Sequence, residues 1–407
     1  MRKLFLPLLL LVAGCTAAPS TGSSQPDLGW LFTSKGNVKL STKVKTTGNT
    51  TFQLFSDLTL MEEAPEPVLT KEVTIGPDSL LTVKLGRLAP GFYEARIADS
   101  IRFNIGIRPE EVLSPPDARP DFDSFWEQTL SEVRSMPMDA VFTEVPEYSD
   151  SVRTCYEVQY TSWGGATAGG IVSIPNAPGK YPVILEYMGY GADVYYFDPQ
   201  AAPDVINFLV SVRGQGLFKE PQANWFDRGL ESKETYYYRG AFADVQRAID
   251  FACSLEKADT EKIVAQGESQ GGAFTMVAAA IDKRIKAAAP AVPFLGDYPD
   301  YAKIVWWPVH EGLDAAAAQG IATEDFYKVL SYFDIKNFAP RITCPVYMAF
   351  GLQDQTCPPH TNFSIYNNLG SAEKHYLCVP TCGHAMWLEP VWPPIRVEFF
   401  KKVLGID

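Results

Sequence analysis

Histidine is scarce in this chain: only four occur in 407 residues, and none precedes His310. Chemistry that needs an imidazole base is therefore confined to the C-terminal part of the sequence. Positive charge is also in deficit. Lys and Arg number 35 against 48 Asp and Glu, a formal net charge of -13. This balance argues against nucleic acid as a partner and against electrostatic docking to an anionic membrane, because both need clustered cations. The seven cysteines contain no Cys-x-x-Cys pair, and the Cys378/Cys382 spacing is too loose for a zinc centre. The apolar run Leu4 to Val12 is too short to span a bilayer as a mature helix. What is abundant is apolar residue, 46% of the chain, which fits a globular protein with a large core.

Arg2 and Lys3 before that apolar run form the positive start of an export signal, residues 1–14. The stretch Leu-Val-Ala-Gly-Cys resembles a bacterial lipobox. It implies cleavage before Cys15 and lipid attachment to its thiol, with ordinary secretory cleavage as the alternative. The expected product is an exported lipoprotein anchored in the cell envelope, periplasmic or at the surface. Residues 15–27, small and polar, read as a flexible tether. The other six cysteines could pair in an oxidising compartment.

Residues 28–107 alternate apolar and polar positions in short runs separated by turn signals such as Thr-Gly-Asn and Gly-Pro-Asp. That pattern predicts a small all-β sandwich. It serves either as a packing domain or as a carbohydrate-binding module. A Pro- and Asp-rich linker follows and runs into a helix over 122–135. From about 155 onward the pattern changes. Runs such as "YPVILEYMG" and "VINFLVSVRG" read as strands buried on both faces, and helical spacing separates them. Residues 108–407 are thus expected to form an α/β domain with a mostly parallel sheet and helices on both faces. The aromatic-rich segment 294–338 interrupts the rhythm as a lid or insertion.

"AQGESQGGAF" places Ser269 between Gly267 and Gly271, where a buried strand gives way to a helix of small residues. Gly-x-Ser-x-Gly in that context is a nucleophile elbow. Small neighbours let strand and helix approach, and the hydroxyl projects at a helix N-terminus. A serine needs a base. In this architecture the acid follows a later strand and the histidine follows the last one, which selects Asp354 and His384. His375 starts the last strand at the wrong end of the sheet. His360 stands too close to Asp354 in sequence, and His310 falls in the insertion. The backbone N–H groups of Gln270 and Tyr190 are the expected oxyanion donors.

Several dispersed motifs then converge. "RPDFDSFWEQTL", "VRGQG", "YYYRGAFADVQRAIDF", "GESQGGAF", "AAAPAVPFLGDYPD" and "GLQDQTCPP" occur in this order. The chain strongly resembles the acetyl xylan esterase and cephalosporin C deacetylase family of α/β-hydrolases, carbohydrate esterase family 7, over about 110–405. The resemblance implies Ser269, Asp354 and His384 as the triad and Tyr190 and Gln270 as oxyanion donors. It also implies Arg213 and Gln215 as a supporting motif, with Arg213 bracing nearby carboxylates or carbonyls. One departure is Ala385, where the family has Glu after the triad histidine. The family's toroidal hexamer suggests a homo-oligomer, although a lipid anchor and an added N-terminal domain weigh against that assembly.

The expected activity is hydrolysis of O-acetyl esters on xylan fragments or related sugars, without metal or organic cofactor. Tyr298, Tyr301, Trp306 and Trp307 are candidates for a sugar-stacking surface, burial being the alternative. Two other readings are a peptidase of the prolyl-oligopeptidase type and a non-catalytic glycan-binding lipoprotein.

Overall fold

The computed structural model describes residues 30–98, 100–198, 204–221 and 224–406. The segments expected to be an export signal and a tether, with Cys15, lie outside the described residues.

The N-terminal part holds seven strands: β1 (Leu31–Phe32), β2 (Val38–Lys43), β3 (Gly48–Ser56), β4 (Leu69–Ile75), β5 (Leu80–Gly86), β6 (Gly91–Ile97) and β7 (Ile101–Ile107). They form a five-stranded sheet, β1-β7-β6-β3-β4, and a two-stranded ribbon, β2-β5. Period-two alternation sends one face of each inward. Leu40, Phe52, Leu54, Leu81, Ala95 and Ile105 are fully buried between them. β6 is buried on nearly every residue, because its other face meets the larger domain, where Phe92 packs on Phe363.

The larger domain is built on a nine-stranded sheet. Its strands are β8 (Val141–Glu144), β9 (Arg153–Thr161), β10 (Thr167–Pro175), β11 (Tyr181–Tyr187), β12 (Ile206–Ser211), β13 (Ala258–Glu268), β14 (Ile285–Ala291), β15 (Val346–Gly351) and β16 (Lys374–Val379). The spatial order is β16-β15-β14-β13-β11-β12-β10-β9-β8. Pairing is parallel from β12 through β11 to β16. It is antiparallel among β12, β10, β9 and β8. The helices are α1 (Phe122–Ser135), α2 (Tyr237–Ser254), α3 (Gln270–Ile281), α4 (Tyr298–Ile304), α5 (Val309–Ala318), α6 (Thr323–Leu330), α7 (Ile335–Phe338), α8 (Pro359–Asn367) and α9 (Trp392–Leu404). Helices α2 and α3 cover β11 and β13, and α9 packs on β14 and β15.

Chain order reverses at β11. The chain steps from β11 to β12 on one side and returns to β13 on the other. Loops leaving β11 and β13 therefore diverge and leave a crevice at the carboxyl ends of the strands, where ligands bind in open α/β sheets.

Candidate active site

β13 ends on Glu268 and α3 starts on Gln270, so Ser269 alone makes the turn. Its φ of 58° and ψ of −122° lie outside the regions L-residues favour. Three backbone bonds hold that conformation: Ser269 N–H donates to Ala291 O, while Ala273 and Phe294 N–H donate to Ser269 O. The glycines permit the packing. A Cβ on Gly271 would stand 2.0 Å from the Tyr187 carbonyl oxygen, and one on Gly267 would stand 2.5 Å from that of Gly271. The serine side chain makes no cap bond to the helix, which leaves its hydroxyl available for chemistry.

The loop after β15 carries Asp354, which is buried. Its Oδ1 accepts from the N–H groups of Thr356 and Cys357 at 2.8 and 2.9 Å, and its Oδ2 lies 2.9 Å from Nδ1 of His384. A carboxylate only accepts, so Nδ1 is the donor and Nε2 stays free to take a proton. His384 follows β16 and is a quarter exposed, with Trp387 edge-on beside it. The acid and histidine loops are joined by Gln353 N–H donating to Cys382 O at 2.9 Å. Cys357 links them to the elbow. Its thiol sits within 4.8 Å of the donor atoms of Asp354 and His384, and the Ser269 side chain lies close enough to act on it. Burial pushes that thiol well above its ordinary range, with Asp354 adding to the effect and Ser269 opposing it. Asp354, Cys357 and His384 are also donors close enough to hold a metal ion. Both Asp354 oxygens are already engaged in hydrogen bonds within the protein.

Gln270 opens α3, and Tyr190 stands in the loop after β11. Among the described residues, neither backbone N–H enters a backbone hydrogen bond. Gln215, buried, ties their two loops together. Its Oε1 accepts from Gly191 N–H at 3.0 Å, and its side chain pairs with that of Gln270 at 3.0 and 3.1 Å. Tyr238 OH donates to Gln270 Oε1, and Gln215 Nε2 donates to Tyr237 OH. Arg213 lies behind this network. It grips both oxygens of the buried Asp244 at 2.7 and 2.8 Å and donates to Trp163 O.

Trp307 stacks on Phe294 and meets Tyr190 edge-on at 5.6 Å, so it props the β11 loop. Trp306 is exposed and lies flat on His310. Tyr298 and Tyr301 are only 1% exposed and cannot stack on a sugar, so for these two rings burial is the reading that holds. Their rings fill the space beneath the inserted helices. His310 bonds to Ala302 O, His375 neighbours Glu373, and His360 is buried against Asp57.

Sequence reasoning passed over Glu268. Its carboxyl is pushed up to about 7 by burial, opposed by Arg396 and reinforced by Glu186. One of its oxygens is buried without a hydrogen-bond partner. The motif Gly-x-Ser-x-Gly places no demand on this position, and only the fold reveals that one of its oxygens faces inward. The six described cysteines are all unpaired.

The profile of the acetyl xylan esterase family matches residues 113–390. An acetyl esterase of Xylanibacter ruminicola is 30% identical over 349 residues, covering 76% of this chain and 78% of its own. The crystal structure of acetyl xylan esterase 1 from a Thermoanaerobacterium species superposes with a TM-score of 0.66 at 25% identity, covering 72% of this chain and 97% of its own. An acetyl xylan esterase from a Paenibacillus species gives 0.66 at 30% identity, with 72% and 98% covered.

Proposed function

The chain belongs to the acetyl xylan esterase family of carboxylic ester hydrolases, and from that premise we propose that it removes O-acetyl groups from xylan fragments or related sugars through Ser269, His384 and Asp354. The observation that carries the assignment of residues is the 2.9 Å contact between His384 Nδ1 and Asp354 Oδ2, together with the strained elbow that holds Ser269.

His384 Nε2 takes the hydroxyl proton as Ser269 Oγ attacks the acetyl carbonyl. Asp354 orients the ring and stabilises the imidazolium. The tetrahedral oxyanion is received by the N–H groups of Gln270 and Tyr190, whose loops Gln215 holds in register before any charge forms. His384 returns the proton to the departing sugar oxygen. Water, deprotonated by the same histidine, then releases acetate from the acyl-serine. Lipid attachment at Cys15 would hold the enzyme on the cell envelope, where polymeric substrate is met.

Acetate release from acetylated xylan and from an activated acetate ester tests the scheme. Ser269→Ala should lose about a millionfold in kcat on both. Turnover near that of the unmodified enzyme would remove Ser269 from the mechanism.

A further inference from the structure

A cavity of about 250 Å³ lies where the N-terminal sandwich meets the hydrolase domain. One wall comes from the sandwich: Trp30 just before β1, Glu94 on β6 and Arg102 on β7. The opposite wall comes from the catalytic loops. Gln353 and Gln355 flank Asp354, and Thr381 stands on the loop that leads to His384. We propose that this cavity is a glycan subsite, which takes a neutral sugar residue of the acetylated chain away from the ester being cleaved. The proposal rests on the deacetylase reading and assigns the sandwich a part in it.

The walls are fixed before any ligand arrives. Asn104 N–H donates to Gln353 Oε1 at 2.7 Å, and Asn104 Nδ2 donates to Leu352 O at 3.1 Å. Gln353 Nε2 returns bonds to Asn104 O at 3.1 Å and to Pro380 O at 2.8 Å. One glutamine thus joins the sandwich, the acid loop and the histidine loop. A subsite built this way keeps its register with the triad, so binding there can position an ester for attack.

The chemistry of the lining suits a pyranose. A sugar ring offers an apolar C–H face and a rim of hydroxyls that both donate and accept. Trp30 supplies an indole held by stacking on Phe103, with ring centroids 5.1 Å apart and planes 23° from parallel. Arg102 donates, Glu94 accepts, and the exposed Gln355 and Thr381 can do both. Glu94 is held by Arg96 at 2.5 Å and lies 3.9 Å from the more exposed Arg102, which leaves the Arg102 guanidinium free to donate to a sugar hydroxyl. A few convergent polar groups beside an aromatic plane are what a small-molecule site requires.

The test is titration of a deacetylated xylo-oligosaccharide into the full protein by calorimetry, with Arg102→Ala and Thr381→Trp compared. Arg102→Ala removes a donor and should weaken binding about three- to tenfold. Thr381→Trp fills the cavity from an exposed position and should abolish binding. Failure of the unmodified protein to bind, or binding by both variants as tight as that of the unmodified protein, would overturn the subsite. Acetate release in the same samples separates the two ideas. Chain-length preference, read as kcat/KM on acetylated oligosaccharides relative to an activated acetate ester, should fall in both variants. Binding without any deacetylation would instead refute the deacetylase reading and leave the subsite standing.

Discussion

Ser269 pays its conformational cost alone, because the residues on either side belong to regular structure. A single residue at φ 58° projects its hydroxyl from the turn while its own N–H and C=O stay hydrogen-bonded. Its neighbour Glu268 imposes a second cost, on charge. Burial raises this carboxyl from 4.5 to about 7, so the folded protein prefers it neutral. The unfolded chain ionises near 4.5, and between these values the folded state binds the extra proton. Stability therefore falls as pH rises from about 4.5 to about 7, by at most roughly 3 kcal/mol, and is flat in this respect above that. Glu268→Gln keeps the shape and removes the titration. Its melting temperature should match the unmodified protein in acid and exceed it above pH 7. Parallel melting curves across the range would show that Glu268 does not titrate there.

At the scale of elements, the elbow depends on β11 and α3 approaching more closely than a side chain allows. Gly271→Ala would drive a Cβ into the Tyr187 carbonyl. The expected cost is about 1–3 kcal/mol in thermal or urea unfolding, with about a hundredfold loss of kcat from a displaced Ser269. An alanine variant with unaltered kcat would mean that the elbow tolerates a wider spacing. The strands that carry the catalytic loops were legible because burial on both faces writes continuous apolar runs, as in β14. β8, β9 and β10 were not singled out. β8 is exposed at every residue, and an edge strand with no buried face carries no apolar signature. The helices of 294–338 announce themselves by aromatic content, but not which rings face inward.

At the scale of the whole molecule, the sandwich is fastened to the hydrolase by buried polar contacts. Asp57 reaches out of the sandwich to Nδ1 of His360 at 2.9 Å, and His360 opens α8 in the segment that follows Asp354. Burial by itself lowers the affinity of His360 for a proton. The Asp57 carboxylate outweighs it, and the histidine is raised above its ordinary value. Asp57→Ala removes the acceptor from the buried Nδ1, leaves Asp300 at 3.8 Å from Nε2, and should cost about 1–3 kcal/mol, read as a lowered melting temperature of the full chain. An unchanged melting temperature would mean the pair contributes nothing to the junction.

The sequence by itself determined the fold class and the family, and it supplied the order Ser269, Asp354, His384 of the proposed triad, because these depend on local signals: apolar runs, a glycine-spaced turn and motifs read in order. It could not determine what converges from distant segments. That Gln215 would join Gly191 to Gln270, that the half-buried Glu268 would hide one unpaired oxygen, and that Gln353 would bind the sandwich to the loops of Asp354 and His384 were settled only by tertiary packing. Hydrogen bonding and desolvation depend on distance in space, and positions far apart along the chain carry no mark of that distance until the sheet brings them together.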